Sequence, residues 1–211
     1  VIGGVAVQPA LAVEIHQMGI TLLSCYGSSE TGHMAVGECA GHSFGYTGRL
    51  NQGMEITINE PDEKGIGELI VKSPGLFSYY IHNEQLTEAA FMNGGYRTGD
   101  LGYIDAERGI YLIGRIKNLI ILQNGEKISP ELLEKELKSY SVIRECVVCE
   151  KEGRLVAEIF AESDLEGEDL AEELDRILSS VNKKQSVTRQ LCGWVLRKES
   201  FKTTNTGKVR R

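Results

Sequence analysis

Residues 109–129 read GIYLIGRIKNLIILQNGEKIS. Apolar runs suited to strands are broken first by the charged GRIKN and then by the polar QNGEK, whose Asn-Gly pair favours a tight turn. The pattern predicts a strand, a basic linker and a hairpin, with a domain boundary near Lys117. Residues 1–116 and 117–211 are therefore read as two separate folding problems.

Upstream, residues 3–32 alternate loop, helix, short strand and polar loop, an α/β segment. Ala10, Val13, Ile15 and Met18 fall loosely on one helical face, and TLLSCYG reads as a buried strand. Residues 37–113 change character: many glycines, alternating β-branched residues in MEITI and GELIVKS, and the turn signals NGG and ERG predict a small sheet or barrel. Downstream, Ser129-Pro130 predicts a helix start, with the serine accepting from free amides and the proline pre-set for the first turn, running to about Ser139. IRECVVCE and RLVAEIFAE read as strands joined by a KEG turn. Leu170, Leu174, Ile177, Leu178 and Val181 recur at helical spacing opposite an acidic face, and GWVLRKES closes with a strand, giving a small α+β domain.

The 211 residues, 41% hydrophobic and 25% charged, suffice for one large core or two modest ones. A net charge of -7 lacks the basic footprint of a nucleic-acid binder, and no apolar run is long enough to span a bilayer. Five irregularly spaced cysteines fit a reducing, cytoplasmic compartment better than a disulfide framework. The chain opens on VIGG without Met and stops at TGKVRR without a closing element, so it is expected to be a piece of a longer protein.

Four segments can carry chemistry. YGSSETGH, residues 26–33, packs a ring, a glycine, hydroxyls and a carboxylate directly after a strand, where α/β proteins bind ligands. An aromatic face can stack on a base, a hydroxyl can reach a phosphate oxygen and a carboxylate can hold Mg²⁺; the alternative is a polar surface turn. YRTGDLG, residues 96–102, sets Asp100 in a glycine-flanked loop as an acceptor for paired hydroxyls, or else in a simple Asx turn. GRIKN offers Arg115 and Lys117 to a phosphate or ribose, or serves only as a solvated linker. KTTNTGKVRR, residues 202–211, carries Lys208 on a flexible loop able to bring a positive charge onto a reacting carboxylate and phosphate, or is a basic tail. Cys146 and Cys149 have half-site spacing for zinc, but three residues apart on a strand they face opposite sides of the sheet. His16, His42 and His82 read as ordinary polar residues, and His33 stands out only because it follows the YGSSE segment.

In order along the chain, YGSSE, GELIVKSP, YRTGDLG, GRIKNLIILQNGEKISP and TTNTGK resemble the successive core motifs of the adenylate-forming superfamily of acyl-CoA synthetases, peptide-synthetase adenylation domains and luciferases. The NLIILQNGEKISP segment looks most like long-chain fatty acyl-CoA synthetases. The resemblance implies α/β and α+β architecture: the end of a large adenylate-binding domain with a small β subdomain at residues 1–116, then a small mobile C-terminal lid at 117–211. It implies ATP, Mg²⁺ and CoA as cofactor and co-substrates, and a fatty acid activated as acyl-AMP before transfer to CoA. An acyl carrier protein is the alternative acceptor, and a non-catalytic nucleotide-binding module the alternative of a different class.

Carried over by motif, Gly3, Gly4, Val5 and Ala6 match the loop lining the adenine, and Tyr26 with Gly27 the stacking ring and its turn. Ser29 matches a threonine touching the α-phosphate, and Glu30 the carboxylate associated with Mg²⁺. Asp100 matches the ribose-binding aspartate, Leu112 the apolar neighbour of the adenine, and Arg115 an arginine on ribose or phosphate. Lys117 sits at the hinge, Lys208 at the catalytic lysine, and Asn124 and Gly125 in the segment that comes beside the pantetheine. Ser29 keeps the hydroxyl of the usual threonine, whereas Phe201 stands where a proline commonly opens the last motif. A Ser/Thr/Gly-rich loop with a lysine, which in the family grips the β- and γ-phosphates, is not found in the sequence; the resemblance places it upstream, with much of the acyl pocket.

Overall fold

The computed structural model describes residues 1–4, 7–203 and 209. The chain divides into two compact units, Val1–Lys117 and Asn118–Arg211.

The first unit is built on one mixed sheet. Its elements are β1 (Ile2–Gly3), α1 (Pro9–Gln17), β2 (Leu23–Ser28), β3 (Gly32–Glu38), β4 (Tyr46–Leu50), β5 (Glu55–Asn59), β6 (Gly67–Lys72), α2 (Glu84–Ala90), β7 (Phe91–Met92), β8 (Gly95–Ile104) and β9 (Gly109–Arg115). The strand order is β1-β2-β3-β4-β9-β8-β6-β5, with β7 on β8. β1 and β2 are parallel and the other pairs antiparallel. The segment read as α/β and the segment read as a separate small β subdomain thus share a single sheet. β6 carries Leu69 and Val71 fully buried, which with Ile110, Met34, Ala35 and Tyr26 form the core of this unit. Burying an aliphatic side chain of that size contributes about 2 kcal/mol.

Three local expectations differ from the structure. YGSSETGH is the tip of the β2–β3 hairpin rather than a loop after a strand, with Ser28 opposite Gly32 in register. Asp100 likewise lies within β8, not in a loop. Gly99 takes φ +67 and the ladder shifts register around this segment, so a glycine that reads as a loop signal marks an irregularity inside a strand. On α1 the buried residue is Ala12, not the face through Ala10, Val13 and Met18.

The second unit contains β10 (Ile120–Ile121), β11 (Lys127–Ile128), α3 (Pro130–Leu137), β12 (Ile143–Lys151), β13 (Arg154–Ala161), α4 (Gly167–Asn182) and β14 (Leu191–Leu196). β10 and β11 make the small hairpin, and β12-β13-β14 a three-stranded sheet with β14 parallel to β13. Leu170, Leu174, Ile177, Leu178 and Val181 of α4 meet Leu133 and Leu137 of α3 and the inward residues Cys146, Val148, Leu155, Ala157 and Ile159 of the sheet. Cys146 belongs to this core, while Cys149 is half-exposed. Ser129 precedes α3, but its hydroxyl donates to the Glu131 carboxylate at 2.8 Å instead of accepting from the helix amides. The hydroxyl is turned toward the Glu131 carboxylate and makes no cap bond to the helix amides. No helix among the described residues is long and apolar enough to cross a membrane.

Candidate active site

Three segments that the sequence separates widely meet in the first unit. Asp100 on β8 lies opposite Arg115 on β9 in the antiparallel register, and Arg115 Nε is 2.8 Å from Asp100 Oδ1. From β2, the Tyr26 phenol donates to Asp100 Oδ2 at 2.7 Å. Alternation along β2 turns Tyr26 toward the core, and the ring is 7% exposed. Burial and the neighbouring Asp100 charge raise the Tyr26 pKa well above its ordinary value, so the phenol stays a donor. Thr98 steadies the aspartate: its hydroxyl donates to the Leu69 carbonyl at 2.9 Å and accepts from the Asp100 amide at 3.0 Å. The Asp100 side chain is 9% exposed and that of Arg115 47%, so the guanidinium bridges a buried carboxylate and the exterior.

The hairpin tip holds Ser29 and Glu30. Thr31, buried beneath it, accepts from the Ser28 amide and pairs with the Ser28 hydroxyl, both at 3.1 Å, which fixes the turn and leaves Ser29 exposed at its apex. A Cβ at Gly27 would lie 2.1 Å from the Gly32 carbonyl oxygen, so the tightness of the hairpin itself requires glycine there. Burial pushes the Glu30 carboxyl up, but hydrogen bonds from Ser28, its own backbone and Tyr80, with the charge of Arg115, outweigh it and hold the group below its ordinary range. β1 runs parallel to β2 with Gly3 opposite Cys25, which sets Gly3 and Gly4 beside the strand of Tyr26; Gly4 has φ +74. Val5 and Ala6 lie outside the described residues. Leu112 packs against the cluster that contains Tyr26.

Lys117 is exposed in a 3-10 turn, Ile116–Asn118, and is the last residue of the first unit. In the second unit Asn124 and Gly125 form the exposed β10–β11 turn: Gly125 has φ +81, and Asn124 Oδ1 accepts from the Glu126 amide at 3.0 Å. Lys208 lies outside the described residues. Among the histidines, His33 Nδ1 is 2.8 Å from Cys25 Sγ, His16 pairs with Glu38 and His42 stacks on Tyr46.

The structure adds Ser28, Thr31, Thr98, Tyr80 and Tyr96 to the neighbourhood. Ser28 and Thr31 are legible only once the hairpin is known, and Tyr80, fifty positions from Glu30, carries no sequence signal of its role. The donor set suits a nucleotide: a carboxylate for a ribose diol, a guanidinium for ribose or phosphate, and one acidic side chain of lowered pKa for a divalent cation shared with phosphates. Among the described residues no three His, Cys, Asp or Glu side chains converge to hold a metal by themselves.

Residues 117–211 match the family described as AMP-binding enzyme C-terminal domain. The chain is 34% identical over 131 residues to the long-chain-fatty-acid–CoA ligase FadD15 of Mycobacterium bovis, covering 62% of this chain and 21% of that protein. It is 36% identical over 155 residues to the 2-succinylbenzoate–CoA ligase of Bacillus subtilis, covering 69% of this chain and 31% of that protein. Among solved structures, it superposes with TM-score 0.81 at 26% identity on O-succinylbenzoate Coenzyme A synthetase (MenE) from Bacillus subtilis in complex with ATP and magnesium ion, covering 98% of this chain and 44% of that one. The chain thus spans about a fifth to a third of the length of these curated relatives. With its ordered motifs, its fold and these relatives in agreement, the chain belongs to the adenylate-forming (AMP-forming) acyl-CoA synthetase superfamily.

Proposed function

We propose that this chain supplies the adenosine-holding residues and the C-terminal domain of an AMP-forming acid–CoA ligase. In the first half-reaction a substrate carboxylate oxygen attacks the α-phosphorus of ATP and pyrophosphate leaves; in the second the CoA sulfur attacks the acyl carbon and AMP leaves. The observation that carries this is the junction of Tyr26, Asp100 and Arg115, an acceptor and a cation held in fixed geometry by three separate motifs. Asp100 accepts from the ribose hydroxyls, Tyr26 orients that carboxylate beside the adenine, and Arg115 reaches ribose or phosphate. Gly3, Gly4, Val5, Ala6 and Leu112 are assigned to the base and Ser29 to the α-phosphate, and Glu30 would hold Mg²⁺ together with the phosphates. When bound, the ion neutralises phosphate charge.

Lys208 is assigned to the first transition state, and Asn124 with Gly125 to the second, with Lys117 as the hinge that exchanges them. Fixed charges and positioning do most of the chemical work in such a division. A fatty acid is the proposed substrate, with CoA as acceptor. The 2-succinylbenzoate–CoA ligases among the relatives favour an aromatic dicarboxylate as the second reading.

ATP–pyrophosphate exchange by the full-length protein, run over fatty acids and 2-succinylbenzoate, tests both. Exchange with fatty acids supports the first and exchange with 2-succinylbenzoate alone the second. None with any carboxylate overturns the ligase reading in favour of a nucleotide-binding module. CoA against acyl carrier protein as acceptor separates the two transfer routes. Lys208→Ala is expected to abolish adenylate formation while sparing thioester formation from supplied acyl-AMP; equal loss of both removes the role given to Lys208.

A further inference from the structure

Glu30 sits on a hairpin tip, where an acidic side chain has many rotamers and little reason to point one way. It does not stand alone there. The segment that follows β6 reaches back to it twice: the Phe77 amide donates to the Glu30 carbonyl at 2.9 Å, and the Tyr80 phenol donates to Glu30 Oε1 at 3.0 Å. One bond holds the main chain of the tip and the other the carboxylate.

Tyr80 is itself anchored. Its amide donates to the Thr87 hydroxyl at 2.9 Å, and its carbonyl accepts from Asn83, whose side chain caps α2. Its ring lies 4.7 Å from that of Phe77, which packs in turn on Phe91 and edge-on to Tyr96. Burial first, and the Tyr80 phenol after it, push the Tyr96 hydroxyl pKa well up, so the two tyrosines also interact electrostatically. Tyr96 stands on β8 four positions before Asp100, so a continuous path of packed rings and hydrogen bonds joins the strand of the ribose-side carboxylate to the carboxylate at the hairpin tip.

We propose that Tyr80 is a positioning residue for Glu30, holding its carboxylate in the orientation that meets the divalent cation. This rests on the adenylate-forming reading given above. A carboxylate ligand whose direction is set by an outer hydrogen bond loses metal affinity when that bond is removed, by roughly 10- to 100-fold in characterised sites. Tyr80→Phe deletes only the hydroxyl and keeps the ring against Phe77, so the fold is retained.

The test uses the full-length protein and calorimetry without any carboxylate substrate. AMP is titrated in the absence of metal, and Mg²⁺ is titrated at saturating ATP. Tyr80→Phe is expected to weaken Mg²⁺ about tenfold while leaving AMP affinity within about twofold, because Asp100, Tyr26 and Arg115 are untouched. In a Glu30→Gln background the same substitution is expected to change Mg²⁺ affinity little. The inference is overturned if Tyr80→Phe leaves Mg²⁺ affinity unaltered, if AMP affinity falls equally, or if the effect persists undiminished in Glu30→Gln. Failure of the wild-type protein to bind AMP overturns the underlying reading, and the inference with it, and is read out separately.

Discussion

Asp100 and Arg115 are cross-strand partners on β8 and β9, joined at 2.8 Å, yet they face different surroundings: the carboxylate is 9% exposed and the guanidinium 47%. The pair therefore presents a fixed acceptor inside and a cation outside. Arg115→Gln is expected to weaken AMP about tenfold by removing a charge-assisted contact, while adenosine, which lacks the phosphate, is weakened much less. Calorimetry with both ligands on the full-length protein reads the difference; equal weakening would move Arg115 from phosphate to ribose. Asp100→Asn should weaken both ligands.

Tyr26 makes the first unit sensitive to alkali. Burial first, then the Asp100 charge, raises its folded pKa well above 10.0. An unfolded chain releases the phenol proton near 10.0 while the folded chain keeps it, so this contribution to stability is complete below that pH and declines as pH rises from 10.0 toward the folded pKa. Tyr26→Phe should flatten the fall in urea-unfolding free energy measured between pH about 9.5 and 11, at the cost of a lower stability near neutrality, where the hydrogen bond to Asp100 is lost.

Glu68 on β6 is 5% exposed and is gripped by Arg97 on β8 through Nε at 3.2 and 3.1 Å and Nη2 at 2.8 Å. Arg97→Met leaves a buried carboxylate without its cation and should cost about 2–4 kcal/mol, near the lower part of the range for broken buried pairs because Arg97 is partly exposed. The double variant Arg97→Met with Glu68→Gln should recover part of that loss. Denaturant unfolding of the single and double variants checks it, and additivity would show that the pair is not coupled.

In the second unit Glu134 is buried on α3 and its Oε1 accepts from the Val148 amide of β12 at 2.7 Å. β13 lies along the opposite side of β12, so this carboxylate satisfies an amide on the side where no further strand pairs among the described residues. Glu134→Ala strands that amide and opens a gap under the helix, and should cost about 2–3 kcal/mol. Hydrogen exchange at Val148 should accelerate with it; an unchanged rate would mean that solvent replaces the carboxylate without loss.

Local pattern carried much of the fold. The spacing of Leu170, Leu174, Ile177, Leu178 and Val181 needs only the helical period to identify a buried face, and all five are buried. The Asn124-Gly125 turn and the KEG turn of β12–β13 are equally local, because positive φ at Gly125 and Gly153 is a property of the residue type. The membership in a superfamily was legible for a similar reason: motif order is a one-dimensional property.

What failed to be legible depended on partners far away in sequence. Asp100 and Gly99 read as loop residues because glycine signals a turn wherever it stands, and only pairing with β6 and β9 shows a strand carrying an irregularity. Ser129 is the local exception: its partner Glu131 lies two residues on, and sequence alone does not show that the hydroxyl turns to that carboxylate and not to the helix amides.

By itself, then, the sequence determined the types of group available, a phenol, two carboxylates and a guanidinium in a known order, and the helical and turn elements that short-range geometry dictates. Tertiary structure alone decided which of those groups touch. Tyr26 and Asp100 are separated by 74 positions, and Glu30 and Tyr80 by 50. Their hydrogen bonds exist only because strand register brings β2, β8 and the segment after β6 to one place, and register is set by packing across the whole sheet.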